Sequence, residues 1–405
     1  MCLKPSFRGL FLCPKNQLLL NMLIALFEEN EGLDLWPLSA TRPVGELRVG
    51  IMTIAEKWSS LLNAEVIHDT RDYLHEKFVP ISKTADLQIN AHALPTEELV
   101  KSILQLQDDH ALVVDERIIA SRGKGSKKTM VDYKVSFVDR PFHIFKFAGE
   151  QIISDFSSIT VGRRSLDISS TNTIIGSHPV FMEEGSKAEC CIFNTTDGPI
   201  YIGKNAQIME GSIIRGPFAM GEGSNVKMAS KIYSNTALGP YCNVGGELNN
   251  VVMQGYSNKG HDGFQGNAVL GEWCNIGADS NCSNLKNTYD QVKVWNYRTS
   301  RFERSGEQFC GLIMGDHSKC GINTMFNTGT VVGVGCNIYG SGFPRQFVPD
   351  FSWGGANGFT THKLPQMEKT AHLMMVRRNK EFDESEKKII YSVFEQSKEW
   401  RNWED

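Results

Sequence analysis

The chain has 405 residues, long enough for two or three domains and a sizeable core. A formal net charge of −4 with 22% charged residues gives no global basis for binding nucleic acid or a membrane surface. Ten cysteines, at 2, 13, 190, 191, 242, 274, 282, 310, 320 and 336, include no C-x-x-C pair; this argues against a disulfide framework or a zinc site and fits a cytosolic location.

Residues 1–21 read as a tail. Lys4 and Arg8 precede an apolar run, Gly9 to Cys13, that is too short for a signal sequence and ends at Pro14; Leu12 is too large for a lipoprotein cleavage site. The tail is either loosely ordered or lies upstream of a start at Met22. Residues 22–140 alternate as an α/β domain. Strands are expected at Leu23 to Phe27, Ala64 to His68, Leu87 to Asn90 and Ala111 to Asp115, with helices at Thr53 to Leu62 and Glu97 to Leu106. That order predicts a parallel sheet with a ligand crevice at the carboxyl ends of its strands. The basic, glycine-rich run Ser121 to Lys128 reads as an exposed loop. Residues 141–174 are a connector containing an amphipathic, partly helical stretch, Phe142 to Ser157.

From about 175 the period changes. Ile202, Ile208, Ile214, Met220, Val226, Ile232, Leu238 and Val244 recur every six residues, which is neither a helical nor an ordinary strand period. Six is the period of the hexapeptide β-helix, whose flat faces send one aliphatic side chain per hexad inward. Gly203, Gly221 and Gly239 mark corners eighteen residues apart, and Ala206, Ser212, Ser224, Ser230 and Thr236 supply small residues between them. The register breaks over Gly255 to Phe264 and is expected to resume inward at Phe264, Leu270 and Ile276. A second interruption, Thr288 to Phe309, reads as a projecting hairpin or loop before hexads return at Met314, Cys320, Phe326, Val332 and Ile338. The β-helix is assigned to 175–345 and a helical segment to 346–405, with Pro365 starting one helix and Asp383 with Glu386 forming a capping box for the last. That segment must pack on the open end of the prism or on a neighbouring subunit.

A break in a regular scaffold is a candidate site, and this one holds His261. Its surroundings carry a resemblance. Arg215-Gly216-Pro217-Phe218, Asn225-Val226-Lys227, Ser230-Lys231, Lys259-Gly260-His261, Asn275-Ile276-Gly277-Ala278 and Asn284 resemble the acetyltransferase half of the bifunctional N-acetylglucosamine-1-phosphate uridyltransferase / glucosamine-1-phosphate acetyltransferase enzymes. Pro37-Leu38-Ser39 and Arg42-Pro43 resemble the motif behind the first strand of the sugar nucleotidyltransferases. From Met22 the whole chain resembles sugar nucleotidyltransferases that carry a hexapeptide β-helix. The resemblance implies an α/β nucleotidyltransferase-like domain, a left-handed parallel β-helix and a homotrimer with acyl-CoA in the seam between prisms.

It further implies His261 as the general base that takes a proton from a sugar amine attacking acetyl-CoA, a task suited to an imidazole. Asp262 is a candidate to orient the ring. Arg215 and Lys227 would hold phosphate and sugar hydroxyls, Asn275 the sugar, and Asn284 the acyl donor; Phe264 stands where those enzymes have a tyrosine, as Leu285 does after the second asparagine. Arg42 and Pro43 would be nucleotide-binding. The chain departs from the nucleotidyltransferases in having Glu28, Glu29 and Glu31 where a phosphate-cradling loop belongs, Val44 in place of a lysine, and no aspartate within Asn90 to His92 for magnesium. Mg2+ would therefore be needed only if the front domain were active, and no metal site is expected otherwise. Three functions follow: an acyltransferase acting on a sugar phosphate or nucleotide sugar, a nucleotidyltransferase making an NDP-sugar, or a non-catalytic trimeric nucleotide-sugar-binding scaffold.

Overall fold

The computed structural model describes residues 22–78 and 85–404; the 1–21 tail lies outside the described residues. The front domain contains β1 (Leu23–Phe27), α1 (Ile54–Leu62), β2 (Glu65–Asp69), β3 (Leu87–Asn90), α2 (Glu97–Leu104), β4 (His110–Val114), β5 (Arg117–Ser121) and β6 (Lys127–Met130). Thr53 starts α1 with a reciprocal capping box to Glu56. The sheet runs β2-β1-β3-β5-β4-β6 and is mixed, which corrects the expectation of a parallel sheet. Asp115 and Glu116 take left-handed φ of 45° and 68° and turn β4 straight back into β5, antiparallel to β4 and β3. The basic run Ser121 to Lys128 is thus a turn between two strands, its last residues lying on the exposed edge strand β6.

Helix α3 (Pro141–Thr160) joins this domain to the coils. Buried Asp155 accepts from Lys57 of α1 and from the N–H groups of Ile51 at 2.9 Å and Met52 at 3.1 Å, fastening α3 to the front domain. Its other side lies on the outer face of the coils, where Ala219, Ala237, Val252 and Val269 present small apolar side chains to one core shared with Phe142, Ile144, Phe145 and Ala148.

The coils are a parallel β-helix whose ladders start at Thr173–Ile175. The predicted hexad residues from Ile202 to Val244 are all at most 2% exposed, each contributing about 1.5–3 kcal/mol by burial. The corner glycines serve close approach: a Cβ on Gly203 would sit 2.7 Å from the Gly221 carbonyl carbon, and one on Gly221 2.8 Å from that of Gly239. One resumption differs from expectation. Gln265, paired with Leu248 and Cys282, is the inward residue, and Phe264 pairs with Glu247 and is half-buried. The interruption at 288–309 holds a hairpin, Lys293–Asn296 with Arg301–Arg304. Coiling continues past 345 through Phe347–Val348 and Ser352–Gly355, and Gly358–Thr361 returns antiparallel.

Helices α4 (Leu364–Val376) and α5 (Glu384–Gln396) fold back over the side of the molecule. Asp383 caps α5 through the Glu386 N–H at 3.0 Å, but the capping box is half made: Glu386 pairs instead with Lys77 of the front domain, as Lys388 does with Glu76. The front domain also docks directly. Arg42 is buried against Asp316 and lies 2.9 Å from Glu272, both on the coils, while Thr41 donates to Asp316 at 2.6 Å.

Two outcomes test this packing. Arg42→Ala strands a buried Asp316 carboxylate, so the urea midpoint should drop by the equivalent of about 3–5 kcal/mol. Burial raises the thiols of Cys191, Cys242, Cys274, Cys282, Cys310, Cys320 and Cys336 above the ordinary 9, with Cys242, Cys310 and Cys336 pushed up to about 12. The unfolded chain then loses thiol protons first, so this stability is present below pH 9 and is lost as pH rises toward 12. Lys57, Lys259 and Lys319, lowered by burial, act in the opposite direction but are fewer. Urea midpoints in reducing buffer should be lower at pH 10 than at pH 7.5.

Candidate functional site

The site begins with a shortened corner. Val226 leads to Lys231 in five steps and Lys259 to Phe264 in five, but between them Val244 reaches Glu247 in three. The Gly245-Gly246 corner is drawn in, and the next corner, Gly260 to Gly263, overhangs it. Gly246 has φ +74°, and a Cβ there would lie within 2.8–3.0 Å of Gly263 O, Asp262 Cα and His261 O. His261 stands exposed on the overhang.

Below it is a cleft of about 810 Å³. Its floor includes Lys227, Gly260 and Gly277, members of the column that follows the inward residue in each coil. A Cβ on Gly260 would meet nothing within 4 Å, so the floor there is bare backbone facing open space. The preceding column is an amide ladder: Asn225 donates to Asn243 at 3.1 Å and Asn243 to Asn258 at 2.7 Å, with Asn275 next and Lys319 after it. A corner column of stacked rings lies alongside, Tyr241 on Tyr256 at 5.3 Å, Tyr256 on Trp273 at 4.3 Å and Trp273 on His317 at 6.3 Å. The end of α4 closes the other side with Leu373, Met374, Arg377 and Arg378.

The charges have one sign. Lys227, Lys319, Arg377 and Arg378 line the cleft with His261, and among the described residues no Asp or Glu does. Burial pushes Lys319 down to about 8, and its ammonium donates to His317 O at 2.8 Å. Such a lining favours an anionic, phosphate-bearing ligand. Among the described residues the His261 ring has no hydrogen-bond partner, so Asp262 does not orient it; the Asp262 backbone oxygen accepts from Asp279 N at 3.0 Å.

Of the residues singled out by sequence, His261, Lys227 and Asn275 meet in this cleft, and three others do not. Arg215 is exposed and paired with Asp197 at 3.1 Å. Asn284 donates to Asn267 at 2.8 Å, and Phe264 takes its N–H to Asn281 at 2.8 Å. Lys319, Arg377, Arg378 and the ring column were missed. Lys319 had a signal, a cation at the ladder position of Asn275; the arginines reach the cleft only because α4 folds back.

At the carboxyl ends of β1 and β2 lies a cleft of about 560 Å³ lined by Glu28, Glu31, Asp69, Arg71 and Asp72. Glu28, just past β1, accepts from Val44 N at 2.5 Å and Thr70 at 2.8 Å and pairs with Arg71 at 3.3 Å. Glu29 binds Arg117 and accepts from Asn90 at 2.7 Å. Arg42 pairs with Asp316 and Glu272 of the coils, and Pro43 precedes a short 3-10 turn. The front domain does not fit Mg2+: Glu28 and Glu29 are taken by arginines, and among the described residues no group of three His, Cys, Asp or Glu could hold a metal ion.

Residues 24–164 match the family model described as sugar nucleotidyl transferase. The match spans the front sheet and α3 and stops before the coils. The chain is also similar to solved structures of transferases. The polySia-specific acetyltransferase NeuO is 12% identical over 48% of this chain and 87% of that one, with a TM-score of 0.24. The polysialic acid O-acetyltransferase OatWY is 14% identical over 47% and 88%, TM-score 0.22, and the UDP-N-acetylglucosamine acyltransferase from Campylobacter jejuni 13% over 56% and 95%, TM-score 0.17. Among curated proteins none matches. No helix among the described residues is long and apolar enough to cross a membrane.

Because the space above Gly260 is empty, Gly260→Val should melt at the wild-type temperature, within about 2 °C by calorimetry, although it fills the floor of the cleft.

Proposed function

We propose that this chain is a sugar-modifying transferase whose coils pass an acyl group from an acyl-CoA, such as acetyl-CoA, to an amine or hydroxyl of a sugar phosphate or nucleotide sugar. The observation that carries this reading is an exposed imidazole, without a hydrogen-bond partner among the described residues, beside the bare Gly260 floor of a cleft whose charged lining residues are all cations. His261 accepts the proton of the attacking amine or hydroxyl as its nitrogen or oxygen bonds to the thioester carbonyl carbon. The C–S bond then breaks, and the thiolate takes the proton back from the imidazolium. Lys227, Arg377 and Arg378 suit the phosphates of either substrate, and the Asn243, Asn258 and Asn275 amides suit hydroxyl and amide groups. The working form is a cytosolic homotrimer.

The match of residues 24–164 favours a second reading, nucleotidyl transfer in the front domain with Mg2+. The carboxylates of Glu28, Glu31, Asp69 and Asp72 that line the cleft at the ends of β1 and β2 oppose it by repelling a triphosphate.

Purified protein given acetyl-CoA and a panel of amino-sugar phosphates and NDP-amino sugars should release thiol. His261→Ala should lose at least about 100-fold of that rate, and Gly260→Val should raise KM at least about 10-fold. Transfer that survives His261→Ala would sink the role of His261. No thiol release with any acceptor, while a nucleotide sugar still binds, would leave the non-catalytic scaffold; pyrophosphate release from an NTP would establish the second reading.

A further inference from the structure

The inward columns of the coils are aliphatic, aromatic or cysteine at nearly every position. Ile208, Val226 and Val244 are followed by Ile276, Cys320 and Ile338 in one column, and Ile232 and Leu248 by Cys282 and Phe326 in another. Between Ile208 and Ile338 two members break the rule, Lys259 in the first column and Gln265 in the second. They belong to the same coil, and that coil carries His261 on the corner between them. Lys259 is 2% exposed and Gln265 1%.

A cation inside an apolar prism is not explained by folding, since an aliphatic residue fills the same place in the coils on either side. What distinguishes this corner is its overhang. In the regular corner at Lys227 the backbone oxygen is capped by hydroxyls, Ser212 at 2.9 Å and Ser230 at 2.6 Å. On the overhang the Lys259 ammonium does this work, donating to His261 O and, at 3.1 Å, to Asp262 O. With an aliphatic residue at 259, His261 O would lose its donor and Asp262 O would keep only the Asp279 N–H at 3.0 Å, so the peptide carrying the imidazole would be held from one side alone.

We infer that Lys259 is a positioning residue for His261: its inward ammonium holds the two corner carbonyls and thereby sets the imidazole over the Gly260 floor. This rests on the acyl-transfer reading for its catalytic consequence, but its structural content can be read separately. Lys259→Met keeps the stem and removes the donor. The variant should lose about 10- to 100-fold in kcat for thiol release, with KM for acetyl-CoA within about 2-fold of wild type. Added to His261→Ala, it should cost nothing further, because the group it positions is gone. The imidazole cross-peak of His261, identified as the one missing from His261→Ala, should shift in folded Lys259→Met. An unchanged kcat, or an equal loss in the His261→Ala background, overturns the inference; so does an unmoved cross-peak, even if His261→Ala proves active and the acyl-transfer reading falls. Should Lys259→Met fail to fold, Lys259→Ile, which has no donor and is the residue type at this place in the next coil, is judged by the same three readings.

Discussion

The structure depends on one constraint, the narrow interior of a three-sided prism that admits a single side chain per face per coil. Because the interior is small, the inward residue must be aliphatic or close to it, the residue two ahead must be small, and the corner must turn where backbone meets backbone. Every coil that obeys these rules looks alike from outside. A site can form only where a coil departs from them, and the departure has to be tolerated by its neighbours. Here two residues missing at one corner leave room for the next corner to lean over it, and consecutive glycines make that possible without collision. The cleft is thus a local defect in the length of one coil, roofed by a helix from the far end of the chain.

The front domain follows a different logic. The residues just behind its first strand bond to protein. Pro37 lies against Gly315, Arg42 is clamped between Asp316 and Glu272, and Glu28 and Glu29 hold arginines at the ends of the strands. Asp316 also accepts from Glu272 N at 2.8 Å, next to Trp273, whose ring lines the cleft. Through these pairs the front domain braces the wall of the coils.

The coils were legible in the sequence because a period of six has no competitor among regular structures, and the inward residues from Ile202 to Val244 could be named one by one. Phe264 was misplaced because the inward residues Gln265 and Leu270 lie five residues apart rather than six, so a count of six back from Leu270 falls one residue short. The mixed sheet was missed for a similar reason: Asp115-Glu116 makes a tight hairpin without the glycine that usually announces one. Lys227 and Asn275 were found through the polar motifs that carry the resemblance, and His261 through the same motifs and the register break that holds it. Arg377 and Arg378 are more than a hundred residues from His261 in sequence, and only the folding back of α4 brings them to the cleft.

The same contrast explains why Lys259 escaped notice. In sequence it reads as one more polar residue beside a histidine, on a stretch where the hexads had already failed. Only the ladder shows that it occupies the place of Val244 and Ile276, and only then does its polarity become costly. A polar residue on the outside of a coil is free to serve a ligand or nothing at all. One held inside must answer for its desolvation through the groups it bonds, and those groups are the backbone oxygens of His261 and Asp262. The interior of the prism, rather than its surface, is therefore where this fold records which corner matters.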